Sequence, residues 1–248
     1  MKPIGIVSAL AAEARTLGPA TPHGTGLRRL ADGALLAVSG IGGAAAAAAA
    51  RRLVLAGATA LASVGMAGGL DPTLICGTVL LPEEVAPFDG ARPGAAVMVS
   101  RAWWQRLRAA LPASRIAGGG TLLTCDRPLG RDAKAVAWRS SRAAAVDMES
   151  VAIAQVAGQA GLPFIALRVL VDTASDELPP AVIAASASGQ LRIGRLLAGL
   201  LRAPRDTGAL IRLSARYRIA SGVLKDMARP GSASRRALIG GPGPEDRS

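Results

Sequence analysis

The sequence predicts a single-domain α/β protein with three layers, a central mixed sheet covered by helices on both faces. Three observations predict it. Short apolar runs alternate with helix-like segments along most of the chain, and glycine clusters stand where the apolar runs end. Half of the 248 residues are apolar, enough for one sizeable core. Only six residues are aromatic, so that core is expected to be built from Ala, Val, Leu and Ile with close backbone approach.

The elements follow in order. Ile4 to Leu10 reads as a buried strand. Gly33 to Val38 reads as another, ending in the glycine turn Ser39-Gly40-Ile41-Gly42-Gly43, with a helix over Ala44 to Ala56. Ala60 to Val64 is a strand running into a second glycine turn, Gly65 to Gly69, and Gly77 to Pro82 is the next strand. Trp103 to Leu111 has helical amphipathicity, Gly118 to Thr124 is a strand, and Asp132 to Trp138 begins a helix. Ala143 to Asp147 is a short strand, Glu149 to Ala160 a helix, and Phe164 to Val171 a strongly apolar strand. The helical stretch from Ala181 to Leu201 closes the domain, which is expected over residues 1–202. A basic amphipathic helical extension (203–228) and a disordered tail (229–248), rich in Gly, Pro, Ser and Arg, are expected to follow.

Charge and composition exclude several classes. The net charge is +12, and residues 202–248 carry half of it, with ten basic residues against four acidic. Such clustering attracts polyanions, but the near absence of aromatic platforms argues against nucleic acid, leaving an anionic membrane surface. Along Arg205 to Met227, Leu210, Ile211, Leu213, Tyr217, Val223, Leu224 and Met227 interleave with Arg212, Arg216, Arg218 and Lys225. That pattern fits a helix resting on a bilayer, or one packed on the domain with snorkelling arginines. Cys76, Cys125 and the single histidine, His23, lack metal-ligand spacing, so neither a metal site nor a disulfide is expected. No apolar stretch is long enough to span a membrane, and the start of the chain lacks the apolar block and cleavage site of a secretory leader. A cytoplasmic protein is expected, with residues 205–228 available to touch the inner face of a membrane.

Loops beyond strand ends are where an α/β sheet binds its ligands, and carboxylates cluster there. Glu13 stands just past the first strand, Glu149 lies in Val146-Asp147-Met148-Glu149-Ser150, and Asp172 ends Leu167-Arg168-Val169-Leu170-Val171-Asp172. Together with the two glycine clusters, these segments resemble the nucleosidases of methylthioadenosine and adenosylhomocysteine, and the wider purine and uridine phosphorylase superfamily, over roughly residues 3 to 200. The resemblance implies roles. Glu13 activates the attacking water, Glu149 grips the ribose hydroxyls with Met148 packed on the sugar, and Asp172 is the general acid at the purine N7. Met66 and Gly68 belong to the second glycine segment, whose bare backbone can approach a sugar or an anion closely. Met66 stands where the family often has a serine that helps bind phosphate or water. Leu129 lies in the loop facing the base, where Pro128 stands in place of a phenylalanine that stacks on adenine. Arg168, with the glycine-loop backbone, would hold phosphate should phosphate replace water as the nucleophile. No metal or organic cofactor is implied.

These roles are chemically coherent. A carboxylate bonded to two vicinal hydroxyls fixes the ribose and favours the positive charge that grows on it. A purine anion is a poor leaving group, so protonating N7 as the bond stretches speeds departure, typically a hundredfold or more. The Val-Asp-Met-Glu-Ser variant and the basic extension most resemble the hopanoid-associated phosphorylases, which implies a lipid-linked purine nucleoside, adenosylhopane, as substrate. Methylthioadenosine, adenosylhomocysteine or another purine nucleoside is the alternative, and a noncatalytic adenine-nucleoside binding protein the non-enzyme one. The resemblance also implies a homo-oligomer.

Overall fold

The computed structural model describes residues 3–24, 26–113, 116–177 and 207–242. The first half of the chain gives β1 (Gly5–Ser8), α1 (Ala11–Thr16), β2 (Ala20–His23), β3 (Leu27–Leu30), β4 (Leu35–Val38), α2 (Gly43–Leu55) and β5 (Leu61–Gly69). Then come β6 (Val79–Leu81), β7 (Glu84–Pro87), β8 (Val97–Met98), α3 (Arg101–Ala110), β9 (Ile116–Gly118) and β10 (Thr121–Thr124). The chain continues through α4 (Arg131–Ser141), β11 (Ala145–Asp147), α5 (Ser150–Gln159), β12 (Phe164–Asp172), α6 (Thr207–Met227) and α7 (Ala233–Ile239). The helix or helix pair expected from Ala181 to Leu201 lies outside the described residues.

The sheet is mixed, as expected, and it branches. One path runs β2-β3-β4-β1-β5-β11-β10-β7-β8, and a second leaves β5 through β12 to β6 and β9. The branch point is β5: its first residues pair in parallel with β1 and β12, while its last two pair antiparallel with β11. Two apolar layers sandwich this sheet. On one face α1, α3, α6 and α7 bury Ala14, Trp103, Leu107, Leu224 and Leu238 against Ile6, Val64, Leu167 and Val169. On the other, α2 and α5 bury Ala46, Ala49, Leu53, Ile153 and Val156 against Val7, Leu61, Ala166 and Leu170. Strand β12 supplies apolar residues to both layers, the pattern of a strand covered on both sides. The alanine face of α2 lets α5 approach closely: a Cβ on Gly43 would sit 3.4 Å from that of Ala152.

Two sequence expectations are corrected here. Residues 65–69 are not a turn but the end of β5, and Gly65, Gly68 and Gly69 lack the positive φ seen at Gly40 (+85°) and Gly42 (+100°) in the true turn. Their lack of a Cβ serves the site described below. The tail is not disordered throughout, because α7 is a docked helix. Ser232 caps it by accepting the Arg235 amide, Arg235 pairs with Asp32 at 2.6 Å, and the Trp103 indole donates to the Ala237 carbonyl at 3.1 Å. The Gly- and Arg-rich composition concealed a short apolar run, Ala237-Leu238-Ile239, whose first two residues are buried in the core.

Helix α6 likewise turns Ala220, Val223, Leu224 and Met227 into the core, the packed alternative rather than the bilayer-facing one for these residues. Truncation after Arg229 should therefore uncover Trp103 and Leu107. Loss of roughly 3 kcal/mol of packing would lower the melting temperature by about 5–10 °C. A dispensable tail would leave the melting temperature unchanged.

Candidate active site

Three carboxylates reach one cavity from three separate elements. Glu13 sits in the first turn of α1 and is almost fully buried. Its Oε2 accepts the Leu10 amide at the helix start (3.0 Å), and its Oε1 accepts the Met66 amide of β5 (3.0 Å). Only glycine at position 65 leaves it room: a Cβ there would stand 3.0 Å from both carboxylate oxygens. Burial pushes its pKa up, opposed by those amides and by the charge of Arg168.

Glu149 stands between β11 and α5. Its Oε1 accepts the amide of Gly42 (2.8 Å) at the start of α2, so the glycine turn after β4 serves a carboxylate 107 residues away. The Glu149 pKa is pushed up to about 7, first by burial and then by the neighbouring negative charge of Asp147, with Gly42 and Arg168 pulling the other way.

Asp172 ends β12, just past a register shift between Leu170 and Asp172 that sets it against Gly68. Its Oδ1 accepts the Gly69 amide at 3.0 Å, and a Cβ on Gly68 would approach that oxygen to 3.1 Å. Its Oδ2 lies 2.7 Å from the Lys134 ammonium of α4, with both side chains buried. Burial raises its pKa and Lys134 opposes the rise.

The cavity between these groups has a volume of about 270 Å³. That is near the lower end for small-molecule sites, roughly 300–1,000 Å³, so it suits one small ligand. Of the residues expected from sequence, Glu13, Met66, Gly68, Leu129, Met148, Glu149 and Asp172 all line it. A larger depression of about 630 Å³ beside Val97, Ser100 and Pro163 has no carboxylate among the described residues of its wall. The three carboxylates converge on the smaller cavity.

Arg168 is the exception. Its guanidinium is held away from the cavity wall by Asp147, with Nε and Nη2 at 3.0 and 2.7 Å from Oδ2, and it also donates to Ser63 and Ser150 at 2.6 and 2.9 Å. It is a buried scaffold cation rather than a ligand contact. Asp147 in turn accepts from Thr124 at the end of β10 and from the first amides of α5, so this pair fixes the turn that carries Met148 and Glu149.

Among the cavity residues that sequence reasoning missed are Lys134 and Tyr217. Lys134 looks like an ordinary solvated lysine on an amphipathic helix, and its partner lies 38 positions away. Tyr217 looked like part of the amphipathic stripe of α6, yet its phenol lines the cavity. Burial raises the Tyr217 pKa, and the negative charge of Glu13 adds to the rise.

The raised Glu149 pKa has a measurable consequence. The native protein keeps a proton that the unfolded chain, with its ordinary value of 4.5, has already released. Stability from this group is complete below pH 4.5 and is lost as pH rises toward 7, by about 3 kcal/mol at most. Thermal unfolding at pH 5 and pH 8.5 should show a smaller drop for Glu149→Gln than for the unsubstituted protein. Equal drops would contradict the assignment.

Comparison with known proteins agrees with this architecture. Residues 3–202 match the phosphorylase superfamily. No curated protein is similar enough in sequence to count as a relative. Among solved structures, a futalosine hydrolase mutant from Helicobacter pylori superposes with a TM-score of 0.64 at 19% identity, covering 82% of this chain and 99% of its own. The methylthioadenosine/adenosylhomocysteine nucleosidase of Campylobacter jejuni gives 0.63 at 20%, covering 80% and 97%. That of Colwellia psychrerythraea, solved with adenine, gives 0.61 at 24%, covering 81% and 94%. These likenesses establish the shared fold, and the match over residues 3–202 establishes the lineage: the chain is an enzyme of the phosphorylase superfamily.

Proposed function

We propose that the cavity binds a purine nucleoside and cleaves its N-glycosidic bond by substitution at the anomeric carbon. The observation that carries this reading is the convergence of Glu13, Glu149 and Asp172 on one small cavity, each buried, each with its proton affinity raised, and each from a different element. Groups tuned in this way and facing one cavity are the signature of acid–base chemistry.

The roles follow from position. Glu149, ionised above pH 7, binds two ribose hydroxyls and stabilises the oxocarbenium character that develops as the bond to the base stretches. Asp172, at the far wall with Lys134, faces the base and supplies the N7 proton. Glu13, anchored by two amides, takes the proton of the incoming nucleophile. Water is the nucleophile we favour. Arg168 is committed to Asp147, and two negative carboxylates beside the sugar would repel phosphate. No step in this scheme calls on a metal or an organic cofactor.

Within the superfamily, we propose an adenine nucleoside with an apolar 5′ substituent, adenosylhopane being the lipid-linked case. Leu10, Ile41, Met66 and Val171 give the cavity an apolar wall suited to it, in keeping with the sequence resemblance to hopanoid-associated phosphorylases. The outer face of α6, with exposed Ile219, Arg212, Arg218 and Lys225, is the surface that would meet a membrane carrying such a substrate. A homo-oligomer belongs to the same reading, and exposed Leu55 and Met98 are apolar residues that it would cover.

Adenine release from adenosylhopane and from methylthioadenosine, with and without phosphate, tests the reading. Release independent of phosphate is expected, reduced at least a hundredfold in Asp172→Asn. Phosphate dependence would replace water with phosphate as the nucleophile. Binding without release from any purine nucleoside would favour a binding protein instead.

A further inference from the structure

Resting on that reading, we propose that Tyr217 is a further catalytic residue, its hydroxyl donating to the water that attacks the anomeric carbon while Glu13 accepts that water's proton. The phenolic oxygen is buried without a hydrogen-bond partner among the described residues, and Tyr217 lines the cavity. Ser221, one turn further along α6, is close enough to influence the phenol but forms no hydrogen bond with it. A buried hydroxyl left unpaired is destabilising, so packing alone would be served better by phenylalanine. The hydroxyl is satisfied once a bound molecule supplies the partner.

Position selects the nucleophile rather than the ribose hydroxyls or the base. Helix α6 packs against α1, whose first turn carries Glu13, and both helices cover the same face of the sheet. Glu149 enters at the start of α5, on the opposite face, and Asp172 is held by Lys134 of α4. Burial and the negative charge of Glu13 hold the Tyr217 phenol above its ordinary value, so it stays protonated and able to donate.

The choice of donor is narrow. Glu13 Oε1 and Oε2 each accept an amide, which leaves about two of a carboxylate's roughly four acceptor positions for water. A water held there alone pivots about one hydrogen bond. Met66, beside Glu13, brings no hydroxyl, Arg168 is committed to Asp147, and Lys134 to Asp172 and the Thr173 carbonyl. Arg127 lies in the exposed loop after β10. Among the described residues of the cavity wall, Tyr217 carries the one uncharged side-chain hydroxyl.

With one proton on Glu13 and one lone pair accepting from Tyr217, the water keeps its other lone pair for C1′. As the C1′–N9 bond breaks, its electron pair goes to the purine, which takes the Asp172 proton at N7. The water oxygen bonds to C1′ and its proton passes to ionised Glu13. Tyr217 neither gains nor loses a proton.

Tyr217→Phe removes only the hydroxyl. It is compared with the unsubstituted protein and Asp172→Asn on two substrates: adenosylhopane or methylthioadenosine, whichever is cleaved, and a riboside with a 4-nitrophenolate leaving group, which departs without protonation. Tyr217→Phe should lower kcat about tenfold or more on both substrates, with KM within roughly threefold, because both reactions need the same water. Asp172→Asn should instead lose purine cleavage selectively. With methanol added, the ratio of methyl riboside to ribose should rise in Tyr217→Phe, since water is no longer held in place. The free Tyr217→Phe protein should melt at the same temperature as the unsubstituted protein or above it. An unchanged kcat, a loss confined to KM or to the purine substrate, an unchanged methanol-to-water ratio, or a lowered melting temperature would each overturn the proposal. Absence of cleavage by the unsubstituted protein, or cleavage that requires phosphate, would instead defeat the functional reading on which the proposal rests.

Discussion

The interaction on which the rest of the site depends is the buried ion pair between Arg168 and Asp147. It ties the middle of β12 to the end of β11 and, through Ser63, Thr124 and Ser150, gathers β5, β10 and the start of α5 around one guanidinium. Every partner in this network is buried or half-buried, so loss of either charge would strand the other in a low-dielectric interior at a cost of roughly 3–5 kcal/mol. The pair sets the turn from which Met148 and Glu149 project, and it stands on the strand that ends in Asp172. A scaffold charge of this kind lets Glu149 and Asp172 be arranged without themselves serving as the fold's staples.

The same economy appears in β5. Strands buried on both faces favour branched apolar residues, yet β5 ends in three glycines among five residues. Each missing Cβ makes room for a functional group: the Glu13 carboxylate over Gly65, the Asp172 carboxylate over Gly68, and the Asp172 backbone over Gly69. Backbone amides of this strand then hold Glu13 and Asp172 in place. Stability given up in the strand is exchanged for position in the site, and the pairing of β5 with β1, β12 and β11 makes that exchange tolerable.

Much of this was legible in the sequence, because the relevant signals are local. The alternation of strand and helix, the glycine turn before α2, and three carboxylates just past strand ends are all patterns within a few residues of one another. The unread parts are relations between distant segments. Nothing near Arg168 announces that Asp147, 21 residues earlier, would take its charge and keep it from the cavity. Nothing in Asp132-Ala133-Lys134-Ala135 distinguishes a buried lysine from a solvated one. The glycines of β5 read as a turn because their reason for being glycine lies on α1 and β12. Helix α7 was concealed by composition, its apolar run Ala237-Leu238-Ile239 lying in a stretch otherwise rich in Gly, Pro, Ser and Arg, until Asp32 and Trp103 supplied partners from the far side of the fold.

The central claim is that Glu149 and Asp172 act on the sugar and base of one bound purine nucleoside. The most direct measurement is a crystal structure and binding titration with an adenine nucleoside analogue whose ribose is replaced by a cationic hydroxypyrrolidine. The account predicts the ring hydroxyl on Glu149, the base beside Asp172 and Lys134, and affinity at least a hundredfold weaker in Glu149→Gln. A ligand bound outside this cavity, or affinity indifferent to Glu149, would contradict it.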